Sequence, residues 1–148
     1  MKLSQALKKK KKLITTADKF FKRFSSANSC QDGKPSPYSA EENYKQWRVT
    51  VEELCVLKAK IQIANAPILE KIYLLAELKN IVSKLKSVNC VSGLHEKSRG
   101  GFGVAAVDVN YTAWMSEVQR DDNVEDIEER IELIQSEIEA FNAITEIK

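Results

Sequence analysis

The sequence predicts a mostly α protein: long antiparallel helices, as a four-helix bundle or helical hairpins, with an irregular or short β-hairpin insertion before the last helix. Three observations predict it. Apolar residues recur at alternating three- and four-residue steps over long stretches, the period of one helix face. The three prolines and five glycines of the 148 residues cluster in a few places and leave those stretches unbroken. The charges are polarised along the chain. Residues 1–27 hold nine Lys/Arg against Asp18, while residues 108–148 hold three Lys/Arg against twelve Asp/Glu. The ends thus carry about +8 and −9, and the net charge of +2 conceals this. A basic helix beside an acidic one, within a subunit or between subunits, is the simplest arrangement that satisfies both.

The first helix is expected over 3–27. Leu3, Leu7, Ile14, Ala17, Phe21 and Phe24 form its seam, with Lys10 in the one missing position. Ala6, Leu13, Phe20 and Ala27 widen it. Asp32-Gly33 and Pro35 to Pro37 then mark a loop. Ser39-Ala-Glu-Glu42 has the form of a capping box, so a second helix is expected over 40–64. Its seam reads Tyr44, Trp47, Val51, Leu54 and Ile61, with Lys58 inserted, and Val49, Val56 and Ile63 form a flanking row. Asn65 is placed to cap a third helix over 66–88, with Pro67 in its first turn. Ile68, Leu69, Ile72, Leu75, Leu78, Val82 and Leu85 form the buried face of that helix. Tyr73, Leu74 and Ile81 are surplus and imply another subunit.

Between Asn89 and Val107 the periodicity stops. Phe102, Val104, Ala105 and Val107 suggest an extended piece or a short hairpin. Asp108 is the expected cap of a last helix over 109–142. Trp114 and Val118 open its apolar face, Asp121-Asp122-Asn123 marks a phase shift or break, and Ile127, Ile131, Ile134, Ile138 and Phe141 resume the seam. Length and composition suggest a single helical domain over 1–148. No stretch approaches the ~18 apolar residues of a membrane-spanning helix. Five lysines occupy 8–12, where a secretion signal would be apolar. Three scattered cysteines suit a reducing compartment. The expected location is cytoplasmic.

Chemistry-bearing patterns are few. The lysine run, Lys8, Lys9, Lys11 and Lys12, is the candidate basic surface. Clustered lysines bind phosphate backbones by releasing counterions. The acidic helix in the same chain makes a solvated or internally paired face the stronger expectation, so nucleic acid is not the favoured partner. A basic amphipathic helix also suits an anionic membrane, but its heptad-like stripe favours core packing. His95 is the one histidine, with Cys90 five residues upstream. Neither a nucleophile elbow nor a sharp turn accompanies them, and the loop histidine reads as a surface residue. Gly100-Gly101-Phe102-Gly103 satisfies neither GxxxxGK[ST] nor GxGxxG and reads as a turn. Arg99 and Phe102, with Ser98, are the candidate ligand contacts, because functional residues concentrate on long loops. Diiron bundles need Glu-x-x-His motifs, which a single loop histidine rules out. No catalytic residue, metal ligand or cofactor site is expected, and the chain is read as a non-enzyme.

Several short motifs together resemble a family of small bacterial proteins, the septicolysin-like proteins. They are the opening Met1-Lys2-Leu3-Ser4-Gln5-Ala6-Leu7, the Asn28 to Pro35 loop with Asp32-Gly33, the Asn65-Ala66 junction and Val107-Asp108-Val109. The close, Phe141-Asn142-Ala143-Ile144-Thr145-Glu146-Ile147, is similar to the family's ending, with Ala143 where Trp is usual. The resemblance implies a long-helix fold and oligomeric assembly, and its name implies a cytolysin. The Gln31-Asp32-Gly33-Lys34 loop is less acidic than the family's. The leading expectation is a non-enzymatic, self-associating helical protein forming a homo-oligomer. The alternatives are a membrane-active, cytolysin-like protein and an RNA- or tRNA-binding helical hairpin.

Overall fold

The computed structural model describes residues 1–97 and 105–147. In chain order the elements are α1 (Leu3–Ala27), α2 (Ala40–Asn65), a 3-10 turn (Ala66–Ile68), α3 (Leu69–Lys86), β1 (Gly93–Lys97), β2 (Val107–Tyr111) and α4 (Glu117–Ile144). The protein is mostly helical, with a two-stranded antiparallel hairpin before the last helix. The chain divides into two compact units. One holds Met1–Leu69 with Ile138–Lys148, and the other holds Glu70–Glu137.

In the first unit, α1 and α2 form a hairpin. The backbone of Lys2 opens α1: its N–H donates to Gln5 Oε1 at 3.3 Å, and its carbonyl accepts from Gln5 and Ala6. The loop turns at Gln31 to Lys34, whose N–H returns to the Gln31 carbonyl. Gly33 sits there at φ +78°, a conformation that a Cβ would strain. Ser39 caps α2 as expected, its Oγ accepting from the Glu42 N–H.

The α2 seam differs from the expected one. Asn43, Thr50, Leu54, Leu57 and Ile61 are buried and Trp47 is half-buried. The seam therefore runs through 43, 50 and 57 where 44, 51 and 58 were expected, which leaves Lys58 in solvent. Two polar residues are admitted because each hydrogen bonds one helical turn back: Asn43 Nδ2 donates to the Ser39 carbonyl and Thr50 Oγ1 to the Gln46 carbonyl.

The core of this unit joins the chain's two ends. Leu3 and Ala6 are completely buried against Leu57, Ile61 and Ile147, with Leu7, Leu13, Ala64 and Phe141 packed round them. Lys2 and Glu146 form an antiparallel bridge. The Leu3 N–H donates to the Thr145 carbonyl at 2.8 Å, and the Ile147 N–H to the Met1 carbonyl at 2.9 Å. At the other end of the hairpin, Phe21 and Phe24 meet Trp47 at ring-centroid distances of 5.1 and 6.5 Å, and Phe24 meets Tyr44 at 5.2 Å.

Within the first unit the partner of α1 is α2. Along its length α1 lies on α2, and Phe141 of α4 and Ile147 beyond it join the terminal core. Phe21 and Phe24 belong to the aromatic cluster on α2 and not to an acidic helix. Charge does not set the α1–α2 pairing, because exposed ion pairs contribute only about 0–1 kcal/mol each, less than burying one leucine.

In the second unit, Lys71 pairs with Glu137 and Lys86 with Glu128, both at 2.7 Å. The order of these pairs sets α3 and α4 antiparallel. Leu78 and Val82 of α3 and Val124 and Ile134 of α4 are buried. Most of the expected α3 face is buried or half-buried, while Tyr73 and Ile81 remain exposed. The Asn65 side chain makes no capping hydrogen bond. Asn65, Ala66 and Leu69 all keep right-handed helical dihedrals, so the punctuation at Pro67 tightens the helix into a 3-10 turn.

Two features before α4 also differ from expectation. Asp108 caps nothing: it lies in β2, opposite Glu96 of β1. The helix begins at Glu117, where Ser116 and Gln119 form a reciprocal capping box. Gln119 N–H donates to Ser116 Oγ, and Ser116 N–H to Gln119 Oε1. Trp114, expected to open the apolar face, is 92% exposed, and Val118 is also exposed. Asp121-Asp122-Asn123 does not break the helix, which runs on to Ile144.

Candidate functional site

The lysines of α1 form a face. A helix turns about 100° per residue, so Lys8, Lys11, Lys12, Lys19 and Lys22 fall within roughly a third of its circumference. That arc lies opposite Ala6, Leu13, Ala17 and Phe24. All five lysines are exposed, and Lys10 is half-buried on the seam side. Lys9 diverges from the face and pairs with Glu53 of α2 at 2.6 Å. No ion pair joins the five lysines to the described residues. Of the candidate basic surface, then, Lys8, Lys11 and Lys12 share the outer face, extended by Lys19 and Lys22. Those two stand apart from the run of five in sequence and join it only through the helical phase.

A second exposed feature lies on α2. Val49, Val56 and Ile63 are 60%, 58% and 76% exposed. Their seven-residue spacing keeps them in one row, about 130° round α2 from the seam that holds α1. Two shallow recesses adjoin the C-terminal half of this row and share Lys60 and Ile147. One, of about 250 Å³, reaches Met1, Lys9, Glu53, Val56 and Leu57. The other, of about 320 Å³, reaches Ile63, Ala64 and Glu146.

Two local ion pairs shift the groups that form them. The Lys45 ammonium, hydrogen-bonded to Glu41 at 2.6 Å, holds that carboxyl below the usual carboxylate range, and Glu41 in turn raises Lys45. Asp121, hydrogen-bonded to Arg120, raises that guanidinium further.

The residues with chemical potential are occupied singly. His95 Nε2 lies 3.0 Å from the Ser92 carbonyl, which only accepts, so the ring carries its proton on Nε2. The ring also meets Tyr111 edge-on. Cys90 is buried, and its thiol is directed at the Val88 carbonyl. Each group is thus directed to backbone. Cys30 and Cys55 are exposed and free. No cluster of three or more His, Cys, Asp or Glu suited to a metal occurs among the described residues. The one buried side-chain atom without a hydrogen-bond partner among them is Asn142 Oδ1. Arg99, Phe102 and Ser98 lie outside the described residues. No described helix is long and apolar enough to cross a membrane.

Compared with protein-family models, curated proteins and solved structures, the chain matches none of them.

Proposed function

We propose that the protein is a self-associating helical protein without catalytic activity, acting through assembly with copies of itself. The observation that carries this reading is the bare heptad row Val49, Val56 and Ile63. Three aliphatic side chains at this spacing, on a helix whose other face is already occupied, form the seam of a helix pair with one member missing. The exposed Tyr73 and Ile81 of α3 add apolar surface in the second unit. A septicolysin-like relationship, as the motifs suggest, is in keeping with assembly. Static light scattering at 1–100 μM is expected to give at least the mass of a dimer. A mass of 16.7 kDa throughout would overturn the reading.

A second reading rests on the lysine face of α1. Five exposed lysines on one helix face suit RNA, with an affinity that falls steeply as salt releases condensed counterions. Glutamate at Lys8, Lys12 and Lys19 is expected to abolish such binding to tRNA and to flatten its salt dependence. Unchanged binding would remove this reading. Leakage of anionic vesicles at low micromolar protein, absent from neutral ones, would instead favour the membrane-active alternative.

A further inference from the structure

We propose that α2 is the contact between two copies of this chain, paired antiparallel about a two-fold axis that passes through Val56. The proposal rests on the self-association inferred above and specifies its surface and symmetry.

Helix α2 has two apolar faces. Asn43, Thr50, Leu54, Leu57 and Ile61 hold α2 to its own chain. At about 100° per residue, Val49, Val56 and Ile63 point some 130° away, clear of the buried seam. Val49 and Ile63 are each seven residues from Val56, on either side. An antiparallel pairing therefore sets Val49 of one copy on Ile63 of the other at both ends, and Val56 on its own counterpart at the centre. The row is complementary to itself, as a two-fold contact requires.

The charges select the direction. Glu52 lies four residues before Val56 and Lys60 four residues after it. Antiparallel pairing brings each Glu52 to the Lys60 of the other copy, twice per dimer. A parallel pairing would instead set Glu52 against Glu52 and Lys60 against Lys60. Both groups are available. The nearest partner of Glu52 is Arg48 on the same helix, at 4.0 Å, beyond hydrogen-bond distance. Lys60 makes no ion pair with the described residues. The recesses lined by Val56, Lys60 and Ile63 provide holes for the other copy's side chains, as packing of knobs into holes requires.

The test uses cysteines on the full chain, in a background with Cys30→Ser and Cys55→Ser. Cys90, which is buried, remains. Under mild oxidation, Val56→Cys is expected to form a disulfide dimer across the axis. Val49→Cys alone is expected not to, because its two copies would lie about 21 Å apart along the helices, against the 4.4–6.8 Å between Cα atoms that a disulfide needs. Mixing the Val49→Cys and Ile63→Cys proteins is expected to restore the cross-link. In the wild-type background, Val56→Lys is expected to weaken association by at least about 100-fold, since it opposes two like charges. Its circular-dichroism spectrum should be unchanged, because position 56 is exposed in the single chain. Self-linking of Val49→Cys would mean parallel pairing and overturn the proposal. An oligomer that keeps its mass in Val56→Lys would overturn the α2 contact and leave self-association standing. A monomeric wild-type protein would overturn both.

Discussion

Leu3→Ala is expected to lower the stability of the first unit by about 3–4 kcal/mol, the middle of the range for leucines truncated in rigid cores. Leu3 is the largest completely enclosed side chain among the described residues, at 0% exposure. Its neighbours come from three separate stretches of chain: Ala6 on α1, Leu57 and Ile61 on α2, and Ile147 after α4. A site walled by three segments has little room to collapse into the gap, so the cavity term adds to the transfer term. Trp47 provides the readout, since it sits in the aromatic cluster of the same unit. Trp114, fully solvated in the other unit, is first replaced in a Trp114→Phe background. The Trp47 transition in urea should move to lower concentration with little change in slope. A loss below 1 kcal/mol would show that the terminal core does not hold this unit together.

Removing residues 145–148 is expected to cost more, about 4–5 kcal/mol. Ile147 is 8% exposed, and its loss alone is comparable to a core isoleucine truncation, about 2–5 kcal/mol. The tail also makes two backbone hydrogen bonds with the first three residues, Leu3 N–H to the Thr145 carbonyl and Ile147 N–H to the Met1 carbonyl, each contributing about 1 kcal/mol net. Without Ile147, Leu3 loses part of its enclosure. Adding Leu3→Ala to the truncation should therefore cost less than the sum of the two changes. The same urea titration measures all three proteins. Additivity within 0.5 kcal/mol would show that Leu3 and Ile147 do not share one core. A truncation effect below 1 kcal/mol would show that the terminal bridge is ornamental to stability.

The other expected outcomes, on mass, tRNA binding and the cross-links through α2, concern surfaces more than core. They depend on features that were only partly visible before the fold was known. Lys8, Lys11 and Lys12 were legible as a charge run. Their union with Lys19 and Lys22 follows from helical phase alone and was open to the same reading. Val49, Val56 and Ile63 were also visible as a row, but nothing local indicated that the row would be bare.

The features legible from residue order alone are local ones. The span Leu3–Ala27 follows from apolar spacing and the start of α2 from Ser39-Ala-Glu-Glu42, because helix formation and capping depend on residues three and four apart. The Asp32-Gly33 turn and the break after α3 are equally local. Ser116-Glu-Val-Gln119 was a readable capping box as well. Asp108 matched the composition of a cap and was taken by strand pairing with Glu96, a partner twelve residues away that no local rule weighs. The tertiary structure alone decided which apolar row of α2 is buried, that the two chain ends close one core, and that α1 lies along α2. Each of these choices compares partners distant in sequence. Exposed charges discriminate among such partners too weakly, and the burial of Leu3, Leu57, Ile61 and Ile147 together decides.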